Sequence, residues 1–386
     1  MDDKKILIIG GPDVNSRIDL IDRLKSNYRF ACLGSSNLIK EDFSRSNIEY
    51  YSYPLNLNFN LFSDIISLLK LIRLIKVKSP HIVHTFDTKP GLIGRIAAKI
   101  CSVPIIISTL PGLGILFTSS EIKMRILRLI YEKITKIVCR LSKITVFQNP
   151  DDKELFKNKG IVNDSNSTII LGSGIDINQF SIQNLKNSEI EKLRREIRVN
   201  KDEVVVTLIS RLIKSKGIRE FASAAKLIGS NKKKIKFLLV GDYNPDEINS
   251  FSKDEFLNIS DQVIWLGFRS DVKNIISISN IIVLPTYYRE GIPRVLLEGA
   301  SLNKPLIATN TPGCREIIVN GKNGYLIEPR NVNDLKTAIL KLVNDPEKMK
   351  EMGDCSRNIV SSNFNITVVA KKYKELYGRV IKKYYE

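Results

Sequence analysis

Short apolar runs alternate with amphipathic stretches along this chain, and this alternation constrains the fold more than any other feature. In the first half, the apolar runs have the length of buried strands, and helical stretches lie between them. The runs occupy residues 4–11, 81–86, 104–109 and 144–148. Strands that alternate with helices at this spacing predict an α/β fold with a parallel, doubly wound sheet covered on both faces.

The same alternation starts again after residue 175. Its apolar runs fall at residues 204–209, 235–240, 263–266, 281–285 and 305–309, and a last helical stretch covers 367–384. Because 386 residues exceed what one ordinary hydrophobic core accommodates, we expect two domains. We assign residues 1–178 to an N-terminal domain, 179–366 to a second domain of the same class, and 367–386 to a C-terminal helix.

The strongest chemical signal lies at residues 289–299, which read Arg-Glu-Gly-Ile-Pro-Arg-Val-Leu-Leu-Glu-Gly. Glu290 follows a strand, and Glu298 lies about one and a half turns into the next helix. Ligands of open parallel sheets bind at the carboxyl edge, where Glu290 is expected. Gly291, Ile292 and Pro293 open the helix, and backbone N–H groups at a helix start bind anions. The segment predicts a sugar-nucleotide site, with carboxylates for hydroxyls and a helix N-terminus for a diphosphate.

Two cations follow another strand of the second half. Arg211 and Lys216 stand five residues apart after the run 204–209, and Gly217 precedes the next helix. A guanidinium forks onto phosphate oxygens and an ammonium adds a mobile charge, so the pair suits a diphosphate. A solvated basic turn would show the same pattern. The carboxylates in the segment 289–299 favour the diphosphate interpretation.

A third turn, at Phe268 and Arg269, follows the run 263–266. At the carboxyl edge of a parallel sheet this turn would face the same ligand, and we interpret it as a contact to the nucleotide base. The alternative is a tight turn in which Asp271 caps the following helix. The two interpretations are compatible.

Taken in order, these segments resemble the retaining glycosyltransferases of family 4, in particular the capsule and O-antigen subgroup. The second half contains Ser-Arg-Leu-x3-Lys-Gly, Val-Gly-Asp, Leu-Gly-Phe-Arg-x-Asp-Val, Glu-Gly-x-Pro-x4-Glu and Thr-x-x-Pro-Gly-Cys-Arg-Glu. The first half is similar at residues 83–86, 91–99, 111–114, 147–152 and 172–176. The resemblance covers essentially the whole chain, and the ordered combination of motifs is specific although each motif alone is weak.

The resemblance implies the GT-B fold, in which two Rossmann-like domains face a central cleft. It implies that Glu290 holds the donor sugar and supports the reacting centre, and that Glu298 binds the ribose. Arg211 and Lys216 would neutralise the diphosphate leaving group. The backbone at residues 291–293 would meet the diphosphate and sugar.

The resemblance also assigns roles to the N-terminal domain. The loop at Gly10 and Gly11 would approach the donor phosphates from that domain. His84 and Gly112 would lie on the acceptor side, although a histidine at a strand end is also commonly structural. The C-terminal helix would return to the N-terminal domain.

One departure from the family pattern concerns the acceptor proton. Many relatives place a histidine after the strand that here ends at Thr109, whereas residues 109–112 read Thr-Leu-Pro-Gly. The departure fits a front-face reaction in which the departing phosphate takes the acceptor proton. The chain also contains no Asp-x-Asp, the motif that brings a divalent metal to nucleotide-sugars in the other major transferase architecture. We therefore expect no metal and no other cofactor.

Positive charge predicts an anionic partner. The net charge is +19, and residues 51–150 carry fourteen Lys and Arg against four Asp and Glu. Residues 121–143 interleave basic side chains with regular apolar positions, which is typical of helices that lie on anionic membranes. The apolar positions could instead belong to the domain core, and both could hold. We expect no nucleic acid as partner, because the basic residues lie on amphipathic helices and not on an aromatic stacking platform.

The five cysteines are scattered without a Cys-x-x-Cys pair, and no uncharged apolar run approaches the roughly 18–20 residues of a spanning helix. We expect a cytoplasmic protein attached peripherally to the inner face of the plasma membrane. Its predicted activity is to transfer a sugar, N-acetylhexosamine or hexose, from a UDP-sugar in α linkage to an undecaprenyl-diphosphate-linked glycan in O-antigen or capsule synthesis.

Two alternatives share the architecture: a sugar-nucleotide epimerase and a non-catalytic scaffold. The presence of only two histidines argues against the epimerase. The intact set Glu290, Glu298, Arg211 and Lys216 argues against the scaffold. The identity of the donor sugar, the acceptor hydroxyl and the oligomeric state stay open.

Overall fold

The computed structural model describes residues 4–57, 60–119, 121–229, 235–247, 249–261 and 263–385. The chain forms two compact units. The N-terminal unit comprises Met1–Gly174 together with Ile366–Glu386, and the C-terminal unit comprises Ile175–Asn365. Each unit contains one parallel sheet with helices on both of its faces.

The sheet of the N-terminal unit has seven strands. They are β1 (Lys5–Ile9), β2 (Arg29–Gly34), β3 (Glu49–Ser52), β4 (Ile82–Phe86), β5 (Ile105–Leu110), β6 (Ile144–Phe147) and β7 (Ser167–Ile169). Their order is β3-β2-β1-β4-β5-β6-β7, and all neighbours are parallel. This order reverses direction at β1, which is the arrangement of a doubly wound sheet. The prediction missed β2, β3 and β7. Strands β3 and β7 lie at the two edges of the sheet and are short, whereas β2 has six residues and lies inside the sheet.

In the described part of the N-terminal unit, six helices connect these strands. They are α1 (Ile18–Leu24), α2 (Lys40–Arg45), α3 (Leu61–Lys78), α4 (Thr88–Ile100), α5 (Ile122–Cys139) and α6 (Pro150–Asn158). Alternate residues of β1 divide the core: Ile6 and Ile8 pack with α1, whereas Leu7 and Ile9 pack with α3 and α4. The residues alternate because successive side chains of a strand point to opposite faces.

The sheet of the C-terminal unit has six parallel strands in the order β10-β9-β8-β11-β12-β13. They are β8 (Val204–Ile209), β9 (Ile235–Val240), β10 (Ile264–Trp265), β11 (Ile281–Leu284), β12 (Leu306–Thr309) and β13 (Gly324–Ile327). The helices are α7 (Asn187–Glu196), α8 (Ile218–Ile228), α9 (Lys253–Ser260), α10 (Val272–Ile278), α11 (Arg294–Ser301), α12 (Val332–Asn344) and α13 (Pro346–Asn363). The strand order again reverses at its first strand, β8.

Several helix starts are encoded locally. Asn60, Asn149 and Asn331 each accept a hydrogen bond from a backbone N–H in the first turn of the following helix. Such caps satisfy donors that have no partner inside the helix. Ser252 and Glu255 form a reciprocal capping box at the start of α9.

The last helix, α14 (Ile366–Tyr385), packs in the N-terminal unit beside α1. It buries Val369, Tyr373 and Tyr377 in the same core as Ile6 and Ile8. No helix in the described ranges is both long enough and apolar enough to cross a bilayer.

Candidate functional site

The loops that follow β8, β9, β11 and β12 meet at the carboxyl edge of the C-terminal sheet. The backbone N–H groups of Tyr287 and Tyr288, after β11, donate to the carbonyl of Ser215, after β8, at 2.9 and 3.1 Å. Ser210 N donates to Val240 O at 3.0 Å, which joins the ends of β8 and β9. Because parallel strands end at a common edge, residues more than 70 positions apart in sequence become neighbours here.

Two glycines allow this close approach. A Cβ on Gly217, whose φ is 76°, would lie 2.1 Å from the carbonyl oxygen of Pro285. A Cβ on Gly313, whose φ is 88°, would lie 2.1 Å from the carbonyl oxygen of Gly291 and 2.9 Å from Cβ of Glu290. Both conformations favour glycine, and any side chain at either position would push the facing loop away.

Lys216 and Glu290 form a buried ion pair at the centre of this edge. Lys216 Nζ lies 2.5 Å from Glu290 Oε1, and the two side chains are 12% and 10% exposed. The hydroxyl of Thr286 donates to the same carboxylate oxygen at 3.1 Å. The sequence placed both charged residues at this edge, but the direct pairing appears only in the structure. Glu290 is therefore a buried carboxylate held in place by an ammonium and a hydroxyl.

Arg211 lies beside this pair with its own carboxylate partner. Its guanidinium binds Glu247, in the loop after β9, and the Arg211 side chain is about half exposed. The ring of Tyr288 faces both cations: its centroid is 4.9 Å from Lys216 Nζ and 5.8 Å from Arg211 Cζ. The π-face of an aromatic ring attracts cations at such distances. Tyr288 and Glu247 therefore belong to the site, and sequence reasoning missed both.

The signals for these two residues differed. Tyr288 stands two positions before Glu290, so an aromatic residue next to the carboxylate segment was a visible hint. Glu247 lies in a polar loop without a motif, and only tertiary contact brings it to Arg211.

Glu298 lies one turn inside α11. Arg294 Nε binds Glu298 Oε1 at 2.9 Å, and the Glu298 side chain is 12% exposed. Burial raises the pKa of Glu298, and the Arg294 guanidinium opposes that shift. Helix α11 begins directly after Pro293, so the N–H groups of its first residues lie next to residues 291–293, although Leu296 N already donates to the Pro293 carbonyl at 3.2 Å. A carboxylate and a helix start therefore share this part of the edge, as the sequence predicted.

The turn after β10 separates the two residues predicted to contact a base. Phe268 is 75% exposed. Arg269 instead binds Asp271 through two nitrogens, at 2.8 and 2.7 Å, and Glu196 of α7 at 2.5 Å. Hydrogen bonds to Asp271 and Glu196 raise the pKa of Arg269 further. Arg269 therefore ties the turn to α7, which leaves Phe268 as the candidate for base stacking. Asp271 pairs with Arg269 and makes no side-chain cap of α10.

The loop at Gly10 and Gly11 is held by hydrogen bonds within the N-terminal unit. Gly10 N donates to Leu33 O at 3.0 Å, and Gly11 N donates to Asp87 Oδ2 at 3.1 Å. The next residue, Pro12, has no N–H. Both N–H groups therefore have acceptors within the N-terminal unit, and the phosphate contact of this loop stays a prediction.

The predicted acceptor-side role of His84 is corrected by the structure. The ring is completely buried, with Nδ1 2.7 Å from the Tyr377 hydroxyl and Nε2 2.8 Å from the Thr109 hydroxyl. Burial, together with the charge of Arg17, lowers the pKa of His84 to about 3. A neutral, fully buried ring with both nitrogens bonded to hydroxyls is not accessible to an acceptor sugar. His84 is the structural histidine that the sequence left as an alternative, and it fastens α14 to β4 and β5.

Gly112 lies in the half-buried loop after β5. Arg128 of α5 donates to the carbonyls of Leu116 and Ser119 at 2.8 and 2.9 Å, which ties the following turn to the helix. Because β5 ends at Leu110, Gly112 lies at the carboxyl edge of the N-terminal sheet, and its acceptor role stays a prediction. Within the described residues, no group of three or more His, Cys, Asp or Glu side chains is placed to hold a metal ion.

Comparison with known proteins identifies the family of this chain. Residues 189–359 match the family model "Glycosyl transferases group 1", and residues 11–146 match "Glycosyl transferase 4-like". The chain is 30% identical to the Staphylococcus aureus capsular polysaccharide biosynthesis glycosyltransferase CapM, over 85% of this chain and 84% of that protein.

Two further relatives act on lipid-linked glycans according to their names. The Escherichia coli UDP-Gal:α-D-GlcNAc-diphosphoundecaprenol α-1,3-galactosyltransferase is 29% identical over 83% of this chain and 81% of its own. The Campylobacter jejuni N,N'-diacetylbacillosaminyl-diphospho-undecaprenol α-1,3-N-acetylgalactosaminyltransferase is 27% identical over 84% of each chain.

Solved structures confirm the GT-B fold. A Rickettsia africae glycosyltransferase superposes with a TM-score of 0.81, at 21% identity, over 99% of this chain and 100% of that one. Anabaena HepE in complex with UDP and glucose superposes with a TM-score of 0.79, at 19% identity, over 97% of this chain and 100% of that one. With the family matches on both halves and the relatives along most of its length, this chain belongs to the family 4 glycosyltransferases of GT-B fold.

Proposed function

We propose that this glycosyltransferase transfers a hexose or an N-acetylhexosamine from a UDP-sugar to an undecaprenyl-diphosphate-linked glycan in O-antigen or capsule synthesis. We further propose that the new linkage is α and that the anomeric configuration is retained. The names of the relatives from Escherichia coli and Campylobacter jejuni support the lipid-linked acceptor and the α linkage. The UDP-Gal in the first of these names supports a UDP-sugar donor.

The observation that carries the proposal is the buried Lys216–Glu290 pair, with Arg211 beside it, at the start of α11. The diphosphate that leaves the donor carries increasing negative charge as its bond to the sugar breaks. Lys216, Arg211 and the first-turn N–H groups of α11 are fixed positive groups at one edge. Charges arranged in advance stabilise such a leaving group without reorganisation, and each is typically worth about 2.7–4 kcal/mol of barrier.

The proposed chemistry needs no protein nucleophile. The bond between the anomeric carbon and the diphosphate oxygen breaks, and the acceptor oxygen bonds to the same face of that carbon. The acceptor proton passes to an oxygen of the departing phosphate. Glu290 holds the sugar hydroxyls through this step, and Glu298 holds the ribose. The burial of His84 supports a phosphate as the proton acceptor, because that ring has no access to an acceptor hydroxyl.

We propose that the two units bind different substrates, as the resemblance implied. The C-terminal unit binds the donor, and the N-terminal unit binds the acceptor and rests peripherally on the inner face of the plasma membrane. The excess of basic residues between positions 51 and 150 supports an anionic surface as partner. We also propose that no metal takes part, since the fixed cations supply the charge that a divalent ion would otherwise provide.

The test is nucleotide release from a panel of UDP-, GDP- and dTDP-sugars in the presence of EDTA, with a short lipid-diphosphate-linked N-acetylhexosamine as acceptor. We expect UDP release from one donor only when the acceptor is present, and an α linkage in the isolated product. Turnover that EDTA abolishes would contradict metal independence. A product of inverted configuration would contradict retention. Release from a GDP- or dTDP-sugar alone would contradict the donor class.

A further inference from the structure

Helix α5 carries two apolar stripes on opposite sides. One stripe is buried and consists of Tyr131, Thr135, Val138 and Cys139. The other is exposed and consists of Ile122, Ile126, Leu129, Ile130, Ile134 and Ile137, with Ile122 75% and Ile137 65% exposed. Their spacing, at i, i+4, i+7, i+8, i+12 and i+15, places them on one side of the helix. A helix that only packs on its own sheet needs one stripe. The buried stripe therefore belongs to the core, and the exposed set does not, so the core alternative holds for one side of α5 only.

Helix α3 also has a buried and an exposed apolar stripe, and the sequence analysis did not assign it to a membrane surface. Its buried stripe is Ser67, Leu71 and Ile75. On the opposite side, Leu61, Phe62, Ile65, Ile66 and Leu69 are exposed, Phe62 by 76% and Leu69 by 61%. Large contiguous apolar patches are uncommon on monomeric proteins and mark interaction surfaces.

The two exposed stripes lie on the same side of the N-terminal unit. Helix α4 packs against both α3 and α5. The cores under α3 and α5 lie on the face of the sheet opposite to the one that α1 and α14 cover. At the end of α4, Lys99 and Ile100 are exposed as well. We call the exposed stripes of α3 and α5 together the α3–α5 surface.

Basic side chains lie within this surface. Lys70, Arg73 and Lys76 are exposed on α3, and Lys133 and Lys136 are exposed on α5. They stand between the apolar positions. A second copy of this chain in a symmetric contact would therefore bring like charges together. An anionic bilayer offers both complements at once, an acyl region for the apolar side chains and negative headgroups for the cations.

We propose that the α3–α5 surface inserts into an anionic bilayer through two helices, with α3 contributing as much as α5. The insertion is apolar as well as electrostatic, so binding persists in part when salt screens the charges. The proposal rests on the proposed function only for its biological reason, a lipid-linked acceptor. The surface itself is defined by the exposed residues of the N-terminal unit.

The experiment is co-sedimentation of the full chain with phosphatidylglycerol–phosphatidylcholine vesicles at low and high salt. Phe62→Ser with Leu69→Ser tests α3, and Ile126→Ser with Ile137→Ser tests α5. The matched control is Leu227→Ser with Val319→Ser, two exposed apolar residues of the C-terminal unit that are 55% and 44% exposed. Because all six side chains are exposed, the variants should fold as the wild type does, which circular dichroism checks.

We expect each of the α3 and α5 pairs to weaken vesicle binding at least about tenfold, since each removes two large apolar side chains from the lipid. The control pair should bind as the wild type does. If the α3 variant binds vesicles as tightly as the wild type does, the two-helix surface is overturned. If high salt completely abolishes vesicle binding of the wild-type protein, apolar insertion is overturned. If the wild type does not bind vesicles but self-associates, and the variants lose that self-association, the occupant is a second copy of the chain. That result would overturn the bilayer proposal.

Turnover separates this proposal from the proposed function. With a short, water-soluble acceptor, the α3 and α5 variants should release UDP at the wild-type rate. A wild type that binds vesicles but transfers no sugar would contradict the proposed function and leave the α3–α5 surface supported.

Discussion

Removing the Lys216 ammonium tests the centre of the site, since it leaves Glu290 as a buried carboxylate. The pair is 2.5 Å apart and both side chains are about a tenth exposed, so solvent screens the interaction little. Breaking such a pair by deleting one partner typically costs about 3–5 kcal/mol, because the remaining charge loses its counterion. The Thr286 hydroxyl still donates to Glu290, and we expect a loss near the lower end, about 3 kcal/mol.

Lys216→Met keeps most of the side-chain volume and removes the charge. We expect the double variant Lys216→Met with Glu290→Gln to recover most of the lost stability, because no uncompensated charge is then buried. The double variant should stay inactive. Lys216→Met alone should lower kcat by about 10²–10³-fold, the cost of one preorganised charge in the transition state.

The chain offers a selective probe for the stability measurement. Its single tryptophan, Trp265, lies in β10 of the C-terminal unit and donates to Gly241 O at 3.0 Å. Urea unfolding followed by tryptophan fluorescence therefore reports on the unit that contains Lys216 and Glu290. A change below about 1 kcal/mol in Lys216→Met, or a double variant less stable than the single one, would refute the buried-pair argument.

Three further perturbations test other parts of the structure. Glu298→Gln should raise the donor KM about tenfold with little change in kcat, as a lost ribose hydrogen bond would; steady-state kinetics check this, and an equal fall of kcat would contradict it. Gly313→Ala should abolish transfer and destabilise the C-terminal unit, because the added Cβ meets the Gly291 carbonyl. The control Gly321→Ala, where φ is 78° and no atom lies within 4 Å of the added Cβ, should cost only about 1–2 kcal/mol of stability. Equal losses of stability in the two variants would refute the close-approach argument. The pKa of His84 is about 3 in the folded chain, below its ordinary value of 6.5. As the pH falls from 6.5 towards 3, the unfolded chain therefore binds a proton that the folded chain does not, and the protein loses stability. Between pH 7 and pH 5 this amounts to about 2 kcal/mol, and urea unfolding at the two pH values should show it in the wild type and not in His84→Gln.

The strand and helix pattern was largely readable from the sequence. The buried strands β1, β8 and β11 are nearly continuous apolar runs, as expected for strands that are covered on both faces. Strand β3 reads Glu-Tyr-Tyr-Ser and lies at the sheet edge, and β13 begins with Gly324, where a Cβ would lie 1.9 Å from the Leu306 carbonyl. Both are short edge strands, each held in the sheet by pairing with one neighbouring strand, and that pairing is not visible in the local sequence.

The sequence by itself determined the order of the main strands and helices, because run lengths and turn residues are local properties. It also placed Glu290, Arg211 and Lys216 after strands and Glu298 in the helix that follows. Only the tertiary structure decided how the charges pair. Lys216 and Glu290 are 74 positions apart, and Arg211 and Glu247 are 36 apart. It also decided that Asp87 occupies the N–H of Gly11, that His84 is buried against α14, and that α3 and α5 each expose a second apolar stripe. Each of these outcomes depends on which distant surfaces meet and which are left uncovered, and a local pattern does not contain that information.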